Sequence, residues 1–270
     1  MEFLRGFFSI LSAEMKEPTS YGWFHLMFVA IMIGVTVFLC IKFKNASDKT
    51  FRIIVAICWT IMFAFELYKQ LEYSYNLTTP TITWDYQWYA FPYQLCSTPL
   101  YVLPIIFISK DSKWRDALIA YIATFSMFGG LATFIYPEQV FISTIGINIQ
   151  TMVHHGLQIV LGIFFIVWAR KKVNRWFYIK AIPVFAVLVT IAIIMNSGFM
   201  SLGIDETFNM FYISQHFDCT LPILSMIYPK VNYFIFVALY IFGFTFIAFL
   251  IYIIARGIIK LTRRKKKLAC

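Results

Sequence analysis

The chain has 270 residues, 60% of them hydrophobic and only 13% charged, with 30 Phe and 16 Tyr. A soluble globular domain carries about 25% charged residues, so this balance excludes that class and reads as a polytopic membrane protein. The net charge of +10 does not signal nucleic acid, because the basic residues sit in short clusters between apolar runs, where they orient a protein in the bilayer.

In chain order, the first segment, MEFLRGFFSILSAEMKEPTS, is weakly apolar and lacks a small-residue cleavage site, so it reads as an amphipathic lead-in and not a signal peptide. Seven runs of ~20 apolar residues follow, about 21–41, 51–71, 90–109, 114–136, 147–169, 175–196 and 231–255. Only the connection 197–230 is long, no internal period repeats, and no low-complexity linker intervenes. The expected fold is all-α: one integral membrane domain over 1–270, with seven transmembrane helices. It ends in a polybasic tail, 256–270, that would lie against anionic headgroups.

Loop charge sets the direction. Lys42, Lys44, Lys49 and Arg52 mark the first connection, Lys110, Lys113 and Arg115 the third, Arg170, Lys171, Lys172 and Arg175 the fifth, and Arg263 to Lys267 the tail. The alternate connections carry Glu72, Asp85, Glu138, Asp205, Glu206 and Asp218 instead. The positive-inside rule then predicts an N-terminus outside and a C-terminus in the cytoplasm.

With that direction, the intramembrane polar residues fall near the outer face. Glu66 is in the outer half of the second span, and Gln94, Cys96, Ser97 and Thr98 are in that of the third. The fifth begins INIQTMVHHGLQIV. Gln150, His154 and Gln158 are four apart and share a face, with Thr151 and His155 on the adjoining stripe. Such a stripe should face the bundle interior or a water-filled cavity. Asn196 ends the sixth span on the same side. Pro99 and Pro104 free backbone carbonyls that must find partners within the protein. The connection SGFMSLGIDETFNMFYISQHFDCTLPILSMIYPK is too apolar for a solvated loop, so it should pack over or into the outer mouth and bring Asn209, His216 and Asp218 there.

The cysteines are Cys40, Cys58, Cys96, Cys219 and Cys270, an odd number without CxxC spacing, which excludes a fully paired disulfide set and a zinc ribbon. The last span has no lysine for a retinal Schiff base. It has no histidine either, which argues against a zinc hydrolase built on His154, His155, His216 and Asp218. No metal or other cofactor is expected. Membrane lipids are the expected partners, nucleic acid is not, and the Phe-, Ile-, Lys- and Tyr-rich composition points to a bacterial plasma membrane.

The pair Leu95-Cys96, Gly129-Gly130 before Pro137-Glu138, His155, Glu66 and an Asn-Met-Phe at Asn209–Phe211 together resemble the YwaF-like integral membrane family, a distant relative of transmembrane protein 164. That resemblance implies transfer of acyl chains between lipids through a Cys and a His. Cys96 would be the nucleophile and His155 its base, with His154 beside it. The family often carries a histidine two residues before the cysteine, where this chain has Gln94. The chemistry suits the residues: a thiolate is the reactive form, and an imidazole can take the thiol proton. Gln94, Gln158 or Asn196 would donate to an oxyanion. Glu66, Gln150 and Asn209 would complete a substrate cavity. The competing reading is a transport or binding protein for a small polar solute or a proton, using Glu66 and the Gln/His stripe. Neither an inverted repeat nor matched broken segments support it.

Overall fold

The computed structural model describes residues 12–76, 83–203 and 207–268 together with Gly6 and Ile10, with side chains as far as Arg263. Residues 1–5, 7–9 and 11 of the lead-in, Asp205 and Glu206, and the tail side chains beyond Arg263 lie outside the described residues. Among the described residues, six helices are long and apolar enough to cross a membrane. They are α1 (Trp23–Lys42), α2 (Asp48–Ser74), α4 (Lys113–Ile135), α5 (Ile145–Trp168), α6 (Arg175–Ser201) and the last, α7 (Tyr233–Leu268). Their starts follow from capping chemistry: the side-chain oxygens of Ser47, Ser112 and Asn174 accept from the backbone N–H of Thr50, Arg115 and Trp176. Helix α7 runs past the expected end at 255 as far as Leu268, because IIKLTRRKKKL holds strong helix formers and no proline.

The third run departs from expectation. Instead of one helix over 90–109, there are two short 3₁₀ turns, Trp88–Ala90 and Leu95–Ser97, and then α3, Pro99–Ile108. Ten residues of helix reach about 15 Å, half a bilayer core. Proline explains the break. Pro92 and Pro99 lack the N–H that an upstream helix would need, and Phe91, before Pro92, is held out of the helical region at ψ 131°. Pro99 itself sits at the first turn of α3, where a missing N–H costs nothing.

Helices α4 and α5 are central, with 67% of their apolar windows buried, against 22% for α1 and α7. The outer faces of α1 and α7 carry exposed Ile33, Phe38, Phe242 and Ile254, the surface that lipid would cover. Helix α4 is interrupted by a fully buried π-helical stretch, Ile122–Ser126. This wide turn re-phases the rest of the helix, so that Gly129 and Gly130 face α5. A Cβ on Gly130 would lie 2.5 Å from the His155 carbonyl oxygen, and one on Gly129 3.7 Å from Cys96 Cα. The paired glycines thus let α4 lie directly on both α5 and the Cys96 turn.

The basic connections gather at one pole. Arg115 pairs with Asp48 at 2.6 Å and Arg52 with Asp48 at 2.7 Å. Lys172 meets Asp116 at 2.9 Å, and Arg170 bonds to the Lys44 carbonyl and the Asn45 side chain. Arg263 of α7 donates to the Arg170 carbonyl. At Lys172, burial disfavours the charge, but the Asp116 and Asp111 carboxylates outweigh it and raise its pKa. At the opposite pole, Met15 and Ile145 exchange backbone bonds with Ser143 and Ala13, and Tyr75–Asn76 pairs antiparallel with Thr83–Trp84.

Candidate functional site

At the pole opposite the basic cluster, the chain from Ala90 to Leu100 is α-helical only at its last two residues yet largely buried. Several of its carbonyls lack the ladder partners a helix would supply, and at membrane depth each must be satisfied by protein. The side chains that meet them come from three neighbours. Gln70 of α2 donates to the Ala90 oxygen at 2.7 Å, and Tyr101 O–H to that of Pro92 at 2.9 Å. Thr98 donates to Leu95 oxygen at 2.6 Å and receives Tyr121 O–H at 2.7 Å. The Leu100 oxygen, freed because Pro104 has no N–H, accepts Trp59 Nε1–H at 2.9 Å. The Cys96 oxygen takes two donors from α5, His154 Nε2 and Gln158 Nε2, each at 2.9 Å.

Several expected substrate groups are therefore committed to the fold. Gln158 and His154 hold the Cys96 backbone. Gln94 Nε2 donates to Asn209 oxygen at 2.9 Å. Asn196 grips Met210 at both ends, Nδ2 to its oxygen at 3.0 Å and Oδ1 from its N–H at 2.8 Å. Asn209 in turn accepts from Ser214 N–H and donates to Asp218 oxygen. These bonds seat Phe208, Met210, Phe211 and Ile213 in the bundle, each at most 3% exposed. Phe211 and Tyr212 are held at positive φ, a strained state for bulky residues that such clamps must maintain. His216 and Asp218 differ from expectation: both are exposed on this segment. Among the described residues, no group of three His, Cys, Asp or Glu is placed to hold a metal.

What remains uncommitted is narrower. Carbonyls only accept, so His154 carries its proton on Nε2, and its Nδ1 is buried without a partner. His155 is the reverse. Its Nδ1 donates to the Thr151 oxygen at 2.8 Å, which leaves Nε2 bare on a partly exposed ring. The two rings meet edge to face, centroids 5.8 Å apart. Cys96 is also partly exposed, and its thiol makes no hydrogen bond to either imidazole among the described residues. Glu66 Oε1 receives Lys69 Nζ and Gln70 Nε2, each at 2.7 Å. The charges of Lys69 and Glu66 both reach the Cys96 thiol, and that of Lys69 reaches both histidines. Gln150 is buried beside Thr151, whose hydroxyl donates to Gln150 Oε1 at 3.4 Å.

The sequence named Cys96, both histidines and Glu66, but not Gln70 or Trp59. Gln70 stands four residues beyond Glu66 on one face and was detectable by that spacing. Trp59 was detectable only by asking which donor meets the carbonyl that Pro104 frees.

A family model for the TMEM164 family matches residues 20–256. The chain belongs to the TMEM164 family. It is an integral membrane protein of that family, with six long apolar helices and a shorter apolar helical segment, Leu95–Ile108. Neither the curated proteins nor the solved structures hold a match to this TMEM164-family chain.

Proposed function

We propose that this TMEM164-family protein is a thiol-dependent lipid acyltransferase or hydrolase. The observation that carries the reading is the histidine pair's division of labour: His154 is tied to Cys96 through the backbone, while His155 presents a bare Nε2 oriented through Nδ1 by the Thr151 carbonyl. A base whose far nitrogen is anchored is the arrangement that nucleophile–histidine pairs use.

In the proposed reaction, His155 Nε2 takes the Cys96 proton and the thiolate attacks the carbonyl carbon of a lipid ester. The C–S bond forms, the ester C–O bond breaks, and the imidazolium returns its proton to the leaving alkoxide. A hydroxyl-bearing lipid or water then takes the acyl group from sulfur, losing its proton to His155 and restoring the thiol. The thiol and imidazole approach hydrogen-bonding reach, ~3–3.5 Å, only with substrate in place, as loose apo geometry allows. The second N–H of Gln158, whose first is bonded to the Cys96 oxygen, serves as an oxyanion donor. Gln94, Gln150 and Asn209 wall the substrate cavity.

The same reading assigns seven crossings. The third is the segment from Ala90 through α3, and the basic pole faces the cytoplasm of a bacterial plasma membrane. Within the family, the affiliation is YwaF-like. The basic tail rests on anionic headgroups, and membrane lipids are the substrates.

The test uses purified protein in nanodiscs containing phospholipid with alkyne-tagged acyl chains. A hydroxylamine-sensitive tag on Cys96 is expected, lost in Cys96→Ala and His155→Asn. Equal tagging in Cys96→Ala, or none in the wild type, refutes the reading. Solute uptake lost in Glu66→Gln but kept in Cys96→Ala would favour a transporter.

A further inference from the structure

The pair Glu66–Lys69 has no part in the reaction as drawn. A carboxylate and an ammonium this far along an apolar helix are costly to bury, so their place calls for a physical reason. Side-chain exposure is 6% for Glu66 and 17% for Lys69, and the two are in contact at 2.7 Å.

Their position is fixed by the contacts on either side. Trp59, Glu66 and Gln70 stand seven and four residues apart, so they line one face of α2. Along that face Trp59 is bonded to the oxygen of Leu100 and Gln70 to that of Ala90. Glu66 therefore lies opposite the stretch between them, which contains Cys96. Lys69 is seven residues beyond fully buried Met62, so its stem leaves the helix on an inward flank. One bond from Lys69 Nζ to Glu66 leaves the ammonium with further protons unassigned.

We propose that Lys69 is a positioning residue for the thiol: its ammonium stabilises the Cys96 thiolate electrostatically, and Glu66 holds that ammonium in place while tempering its effect. Titratable neighbours from the other packed elements are His154 and His155 of α5, Tyr121 of α4, Tyr212 of the 197–230 connection and Tyr240 of α7; both histidine rings also feel the Lys69 charge. In an interior of low effective dielectric, a nearby unit charge changes a thiolate population severalfold. The two members of the pair then act with opposite sign. The inference rests on Cys96 being the reactive group of the proposed function, but it concerns the thiol's intrinsic reactivity and not acyl transfer.

The experiment measures the initial rate of iodoacetamide alkylation of Cys96 at pH 7.5 in detergent-solubilised full-length protein, resolved by peptide mass spectrometry. Buried Cys58, which should stay unlabelled, is the internal report of folding. Lys69→Met should slow Cys96 alkylation about five- to tenfold, Glu66→Gln should speed it about threefold or more, and Lys69→Arg should stay within about twofold of wild type. If Lys69→Met unfolds, as Cys58 labelling would reveal, the Glu66→Gln and Lys69→Arg rates decide. Unchanged rates overturn the inference, as do rates that move in one direction for both charge-removing variants, since that pattern belongs to packing. Acyl tagging of Cys96 is read separately. A protein with the expected alkylation pattern and no acyl tag refutes the proposed function and leaves this inference standing; the reverse outcome does the opposite.

Discussion

His154 Nε2 lies 2.9 Å from the carbonyl oxygen of Cys96, so this histidine meets the cysteine through its main chain and not through its sulfur. Gln158 makes the same contact at the same distance. The Cys96 turn is thereby held from α5 by two donors, and His155, one residue along, is left with a free ring nitrogen.

Adjacent histidines should consequently behave differently when replaced. His154→Ala removes one of two donors to a buried carbonyl and should cost about 1–2 kcal/mol of stability, whereas His154→Gln, which keeps a donor, should cost less. His155→Asn should leave the melting temperature nearly unchanged and abolish acyl tagging of Cys96. Thermal unfolding in detergent, set beside the tagging assay, separates the two. Similar melting losses for His155→Asn and His154→Ala would contradict the division of roles.

Trp59 and Pro104 should be coupled. Trp59→Phe strands the Leu100 carbonyl and should cost about 1–3 kcal/mol. In a Pro104→Ala background, residue 104 supplies the missing N–H to that carbonyl, so the same Trp59→Phe change should cost clearly less. A double-mutant cycle measures the difference directly. Additive costs would mean that the indole bond does not serve the proline break.

Gly130 tolerates no side chain in this arrangement. Its Cβ would meet backbone, the His155 oxygen at 2.5 Å, whereas a Cβ on Gly129 meets the end of a side chain, Gln158 Oε1, at 3.2 Å. Gly130→Ala should cost about 1–3 kcal/mol or more and Gly129→Ala markedly less, read as melting temperatures. The reverse order would show that α4 does not approach α5 in this register.

Membrane orientation is open to a labelling test. In intact cells, an impermeant maleimide should modify Gln139→Cys, and should reach Lys171→Cys only after permeabilisation; both positions are exposed in the fold. The opposite pattern would put the basic pole outside, against the charge bias of the loops.

Much of the architecture could be read from one dimension. Hydrophobic length marks the spans and loop charge marks which connections share a pole; Asp48, Arg115, Lys172 and Arg263 do meet at one end. Both signals are local sums over a stretch of chain, so neighbouring elements do not alter them. The third span reads from composition as one helix, because composition does not register what Pro92 and Pro99 do to it. The π-helical stretch in α4 left no mark, since its residues, Ile122 to Ser126, include no proline or charge that signals a break.

The candidate site divides along the same line. The sequence by itself determined that polar side chains stand at one depth of the bundle, because residue order along a span fixes depth. Only the tertiary structure decided which of them are committed to the backbone. Gln158, His154, Gln94 and Asn196 are chemically as suited to a substrate as His155. Each finds a stranded main-chain group 14 to 115 positions away along the chain. A hydrogen bond depends on angstrom-scale approach between distant segments, and that distance exists only once the helices have packed.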